Sequence, residues 1–108
     1  MHAVIRETSY APERPLEDMP EFAEFQAAHA ARPGYRGTIV TRIGDGRYVT
    51  LTLWASAADM DAGREALGPV VQRLLNPLMS APTRLYGTGE VVVADLAHAL
   101  GGSGVLRA

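Results

Sequence analysis

The sequence predicts an α+β fold in which two helices cover one face of a four-stranded antiparallel sheet. Three observations support this: the element order β-α-β-β-α-β, a hairpin signal at Gly44-Asp45-Gly46, and a length of 108 residues, which suits one domain. That order is the split βαβ arrangement of ferredoxin-like folds. We expect residues 1–95 to form this domain and residues 96–108 to form a flexible C-terminal tail.

The first part of the chain predicts a strand followed by a helix. Residues 2–10 form the first strand, and Asp18 followed three residues later by Glu21 is typical of a capping box. A helix is therefore predicted over residues 19–31. The run Arg32-Pro33-Gly34 ends it, because the residue before proline avoids the α region.

Two β-rich runs flank the hairpin signal, over residues 36–43 and 47–54. The second run alternates between an aliphatic face and a mixed aromatic and hydroxyl face. The aliphatic face consists of Val49, Leu51 and Leu53, and the mixed face of Tyr48, Thr50, Thr52 and Trp54. We expect Tyr48 and Thr50 to belong to a dimer interface or to the hairpin.

The second half predicts a broken helix. Ser56 caps it, and a body over residues 57–67 is interrupted by Gly68-Pro69 before a further helical segment over residues 70–79. The last strand is predicted over residues 83–94, directly after a proline.

Such a fold leaves one sheet face without helices, although the sequence leaves open which face that is. An uncovered face with aromatic side chains is unfavourable in water. Pairing two such sheets across a two-fold axis buries both, so we expect a homodimer.

Composition excludes several classes of function. Ten arginines, no lysine and twelve acidic residues give a net charge of −2 with no basic run, which argues against a nucleic-acid partner. The absence of cysteine excludes a disulfide framework and thiolate metal sites. No stretch is apolar enough to cross a membrane and the N-terminus does not resemble a signal peptide, so a cytoplasmic protein is expected.

Two local motifs, together with the element order, resemble the antibiotic biosynthesis monooxygenase group of the dimeric α+β barrel superfamily. They are the turn Pro33-Gly34-Tyr35-Arg36-Gly37 and the run Leu51-Thr52-Leu53-Trp54-Ala55-Ser56 followed by Asp59-Met60. The resemblance covers about residues 2–94. It implies a cofactor-independent monooxygenase that oxidises an aromatic or polyketide-like phenol. The alternatives are a non-catalytic dimeric protein that binds small ligands and a polyketide cyclase or isomerase.

No cofactor is expected. Haem-degrading members of the group have an asparagine on the first strand and a histidine on the helix after the tryptophan. Here the first strand has no asparagine, and the helix reads Ala62-Gly63-Arg64-Glu65 at the corresponding place. His2 and His98 lack ligand spacing with His29, so no metal site is expected either.

Trp54 matches the tryptophan that lines the cavity in the group, and we expect it to form a substrate wall; a hydrophobic plug is the alternative. Phe22, Phe25 and His29 share one helix face, so the two phenylalanines are expected to bind substrate as well. His29 is the candidate general base, because its unperturbed pKa is near neutrality; a buried structural histidine is the alternative.

Two further residues are candidates for stabilising a substrate anion. Arg64 has a permanent positive charge suited to an oxyanion, and Tyr86 on the last strand has a hydroxyl donor. A solvated salt bridge for Arg64 and simple packing for Tyr86 are the alternatives.

Overall fold

A computed structural model describes residues 1–97, and the predicted tail, including His98, lies outside these residues except at its start. Four strands form one antiparallel sheet in the order β2-β3-β1-β4. This arrangement confirms the predicted ferredoxin-like fold. In chain order the elements are β1 (His2–Tyr10), α1 (Pro20–Ala30), β2 (Tyr35–Gly44), β3 (Arg47–Trp54), α2 (Ala57–Leu74) and β4 (Met79–Glu90), with short 3₁₀ turns at Leu16–Asp18 and Asn76–Leu78.

The mixed face of β3 points toward the helices. Tyr48, Thr52 and Trp54 are buried there, whereas Leu51 lies on the face that no helix covers. Of the two alternatives for Tyr48 and Thr50, the structure therefore agrees with the hairpin, in which they pair with Arg42 and Val40, and not with a dimer interface on the uncovered face. The Tyr48 hydroxyl accepts a hydrogen bond from the Leu16 N–H, and Thr50 lines an internal cavity, so both lie on the helix side of the sheet.

Helix α1 begins without the predicted capping box. Asp18 lies in the preceding 3₁₀ turn, and Met19 is the N-cap residue with no side-chain hydrogen bond. Pro20 occupies the first turn, where its missing N–H needs no partner. Met19 is buried among apolar side chains, so packing rather than capping fixes this end of the helix.

Helix α2 is continuous through Gly68 and Pro69, contrary to the predicted break. Pro69 removes one helical hydrogen bond to the Glu65 carbonyl, but both residues are on the exposed side, where water satisfies that oxygen. The predicted Ser56 cap is confirmed, because its side chain accepts a hydrogen bond from the Asp59 N–H at 3.1 Å. The helix ends at Leu74, before the predicted end.

Strand β4 begins four residues earlier than predicted and contains Pro82. A proline is tolerated here because β4 is an edge strand and because its pairing with β1 is irregular between Glu7 and Ser9. Beyond Glu90 the chain leaves the sheet, and the Val91 N–H donates to the Met1 carbonyl.

Two apolar clusters hold the helices on the sheet, one toward each end of β1 and β3. The first contains Val4, Trp54, Met60 and Leu67, and the second contains Tyr10, Leu16, Met19 and Tyr48. Between them, the helix-facing positions of the sheet are polar: Arg6, Thr8, Thr50 and Thr52. The middle of the layer between sheet and helices is therefore available for a ligand. Within residues 1–97, neither helix has the length and apolarity needed to span a membrane.

Candidate active site

A cavity of about 380 Å³ lies between the sheet and the two helices, with a smaller lobe of about 50 Å³ toward Tyr10. Its volume is within the range of small-molecule sites, ~300–1,000 Å³. Arg6, Phe25, His29 and Thr52 line both lobes, so the lobes adjoin each other. The main lobe is completed by Trp54 of β3, by Arg64 and Leu67 of α2, and by Leu85 of β4.

Trp54 lies at one wall of this cavity and is 1% exposed. Its ring packs against His29 and Tyr35, with centroid separations of 5.4 and 5.9 Å. On the other side it approaches Gly63 of α2 so closely that no side chain fits there. Trp54 thus lines the cavity, as a wall would, and also packs tightly between the sheet and α2, as a plug would.

His29 is 7% exposed and lies among three aromatic rings, those of Phe25, Tyr35 and Trp54. Burial, together with the positive charge of Arg6, lowers the pKa of His29 to about 4, so the ring is neutral at pH 7. Nδ1 lies 3.3 Å from the Gln26 side-chain oxygen. In the tautomer that donates this bond, Nε2 is left as a proton acceptor.

Arg6 is the functional candidate that the sequence interpretation missed. It lines both lobes, and burial followed by the charge of Arg64 lowers the pKa of its guanidinium. Arg64 itself lines the main lobe, as one of its two predicted orientations requires. The sequence pattern that could have identified Arg6 is the alternation Val4, Arg6, Thr8. It places Arg6 on the same sheet face as Trp54 once the strand pairing is known.

The remaining candidate residues lie in different parts of the structure. Phe25 lines both lobes, while Phe22 lines only the smaller one. The structure does not bring Tyr86 into the cavity: its hydroxyl donates to the Glu7 carboxylate on the uncovered sheet face, where Arg47 Nε also binds Glu7 at 3.0 Å. The Tyr86 and Arg47 bonds lower the pKa of Glu7. Among the described residues, no three potential metal ligands cluster together.

Comparison with solved structures shows what this architecture is similar to. SnoaB, a cofactor-independent oxygenase from Streptomyces nogalater, superposes with a TM-score of 0.58 at 22% identity, covering 84% of this chain and 94% of that one. A protein described as an antibiotic biosynthesis monooxygenase gives 0.65 at 18% identity, covering 86% and 100%. The chain has the antibiotic biosynthesis monooxygenase fold. A protein of unknown function from Nitrosomonas europaea gives a TM-score of 0.69 at 16% identity, covering 88% and 92%.

These likenesses concern the fold. No family model matches the sequence, and no curated protein matches it significantly. A shared fold does not fix an activity, which depends on the residues of the cavity.

Proposed function

We propose that this chain is a cofactor-independent oxygenase of an aromatic or polyketide-like phenol. The observation that carries the proposal is a neutral, buried His29 in ring contact with Trp54 at the wall of the cavity. Trp54 and the rings around it make this wall apolar, and the imidazole beside it accepts a proton from the acidic group of an aromatic substrate in the cavity. The likeness to SnoaB, described as a cofactor-independent oxygenase, supports it.

The chemistry requires a base and a cavity, while the electrons come from the substrate. His29 Nε2 removes a proton, and the resulting aromatic anion passes one electron to O₂. The superoxide and the substrate radical combine at the deprotonated carbon, which was a CH₂ group, and the proton held on His29 Nε2 returns to give a hydroperoxide. Loss of water then converts this CH₂ group into a carbonyl: one oxygen atom stays in the product, and the other leaves with the two hydrogens. The cations Arg6 and Arg64 stabilise the anions formed on the way.

The test is oxygen uptake with an anthrone-type substrate in metal-free buffer. His29→Gln should reduce the rate by about 100-fold or more, the usual contribution of a general base. His2→Gln is the matched control, because His2 lines neither lobe. Trp54→Phe should raise KM as stacking area is lost. Equal rates for wild type and His29→Gln would refute the assignment of the base.

A second candidate, a protein that binds a small ligand without turnover, is favoured by one observation. A pKa of about 4 makes His29 a weak base at neutral pH. Tight binding of the aromatic ligand with no oxygen uptake would support this function, and conversion of the ligand without oxygen uptake would indicate a cyclase or isomerase.

We also propose that the chain acts as a homodimer through the uncovered sheet face. Ile39, Leu51 and Ile5 are paired across three neighbouring strands on that face, and Ile39 is 46% exposed. A second copy buries this apolar row. In light scattering, Leu51→Glu should give a monomer, while Ala62→Glu, on the exposed side of α2, should not. A wild-type monomer at micromolar concentration would refute the dimer.

A further inference from the structure

Arg6 and Arg64 differ from most of the arginines around them in having no acidic partner. Four other arginines form ion pairs with glutamates: Arg14 with Glu21, Arg42 with Glu17, Arg47 with Glu7 and Arg73 with Glu24. In the part of the chain that the structure describes, neither Arg6 nor Arg64 forms an ion pair or a hydrogen bond with a carboxylate.

Within residues 1–97, no acidic side chain lines the cavity that these two arginines share. Among residues 1–97, its lining has two guanidiniums, one imidazole and several hydroxyl and amide groups, but no aspartate or glutamate. Arg6 is partly buried on the central part of β1, where a charge without a counterion is unfavourable. The proximity of Arg64 adds repulsion between like charges. Two cations facing one cavity are stabilised best by an anion placed between them.

We propose that the cavity binds aromatic carboxylates, with the carboxylate at Arg6 and Arg64 and the aromatic ring against Trp54 and Phe25. Guanidinium groups match the geometry of a carboxylate through paired N–H donors. The apolar side chains at the ring end, which include Leu67 and Val4, suit an aryl group, and a volume of about 380 Å³ accommodates a ligand of two or three fused rings. This inference deepens the proposed function, since it specifies an acidic group on the substrate of the same cavity, but it does not require that the ligand be oxidised.

The carboxylate has a second effect through His29. Among residues 1–97, the charged and titratable groups around His29 are Arg6 from β1, whose charge acts on it, and Tyr35 from β2, whose ring contacts it. Arg64 from α2 and Tyr10 from β1 line the same two lobes as His29. A carboxylate that neutralises Arg6 removes a repulsive charge from beside the imidazole, so the pKa of His29 rises when the anion binds. The ligand itself would then turn a weak base into a better one.

The experiment compares 2-naphthoate with 2-naphthamide, a neutral molecule of nearly the same shape. Trp54, the only tryptophan, reports binding by its fluorescence, and calorimetry gives an independent dissociation constant. Wild type should bind the carboxylate about 10- to 100-fold more tightly than the amide, the range expected for charge-assisted hydrogen bonds. 2-Naphthyl phosphate is the third ligand, and tighter binding of it than of the carboxylate would overturn the choice of carboxylate.

Three variants locate the anion, and a fourth, at Arg73, is the control. Arg6→Gln and Arg64→Gln should each lose about tenfold for naphthoate and almost nothing for naphthamide, and Arg6→Lys should retain part of the preference because it retains the charge. Arg73→Gln removes the same charge from α2 outside the cavity and should leave both affinities unchanged. Arg6→Gln should fold at least as stably as wild type, because it removes a partly buried charge.

Equal affinity of wild type for acid and amide, binding of neither ligand, or an equal loss in Arg73→Gln would overturn the proposal. An imidazole titration by NMR adds a readout that simple packing would not change: naphthoate should raise the pKa of His29 above its value with naphthamide, and an unchanged pKa would refute the coupling. None of these measurements consumes oxygen. Failure of the oxygenase proposal would therefore appear as absent oxygen uptake with naphthoate binding intact.

Discussion

Gly63 is the position where a single added methyl group should do most damage to the site. Its ideal Cβ would lie 2.7 Å from Cζ3 and 2.9 Å from Cζ2 of Trp54, whereas ordinary contacts begin at 3.4 Å. Cη2 of the ring is closer still, so the ring or α2 must move by more than roughly 0.7 Å. The ring has no space, because His29 and Tyr35 pack against it. Overpacking of this kind costs about 1–3 kcal/mol.

The matched control is Gly68→Ala in the same helix, where an added Cβ meets nothing within 4 Å. Gly63→Ala gains about 1 kcal/mol from the helix propensity of alanine, and Gly68→Ala gains less because Pro69 follows it, so their difference is a lower bound on the clash. In thermal unfolding at one fixed protomer concentration, Gly63→Ala should melt roughly 5–15 °C below Gly68→Ala. It should also weaken ligand binding, because Trp54 is displaced. Equal melting temperatures would refute the claim that Trp54 is fixed by its contact with this helix.

Three further predictions concern stability. The pKa of His29 is about 4 when folded and about 6.5 when unfolded, so the unfolded state takes up more protons between these values. The free energy of unfolding, measured by urea titration, should therefore fall by at most about 3 kcal/mol as the pH drops from 7 to 4. His29→Gln should show a shallower fall, and parallel profiles for the two proteins would contradict the prediction. Ser56→Ala should cost about 1 kcal/mol in urea unfolding through loss of the helix cap, whereas Ser80→Ala on the exposed edge strand should cost almost nothing. Pro69→Ala should stabilise the fold by about 1–3 kcal/mol, since it restores a helical hydrogen bond, and a loss of stability would show that the proline is required.

The two capping patterns show how far local rules reach. Ser56 and Asp59 form the predicted cap, but Asp18 and Glu21 do not. The difference is tertiary: the Tyr48 hydroxyl accepts the Leu16 N–H at 3.1 Å and holds the segment before α1 as a 3₁₀ turn. A residue 32 positions away thus decides where this helix begins, and a local pattern contains no information about it.

The site residues were predictable where the pattern lay within one helix or strand, and not where their position depended on which strands pair. His29 and Phe25 share a helix face, so periodicity predicted both, whereas Trp54 was predicted through the family resemblance of the motif that ends its strand. Arg6 gained its role only because β1 pairs with β3, with Arg6 directly opposite Thr50. Tyr86 was misplaced for the same reason, since an irregular register between β1 and β4 directs it to the other face.

The two apolar clusters at the ends of β1 and β3 have a consequence for evolvability. These clusters hold the helices on the sheet. The polar residues between them, Arg6, Thr8, Thr50 and Thr52, belong to neither cluster and carry little of the packing. Exchanging Arg6, Thr50 or Thr52 for other side chains changes the charge and shape presented to a ligand while the clusters that hold the layers together stay intact. A lineage with this architecture is thereby able to explore new ligands by drift at a few positions, each step starting from a chain that still folds.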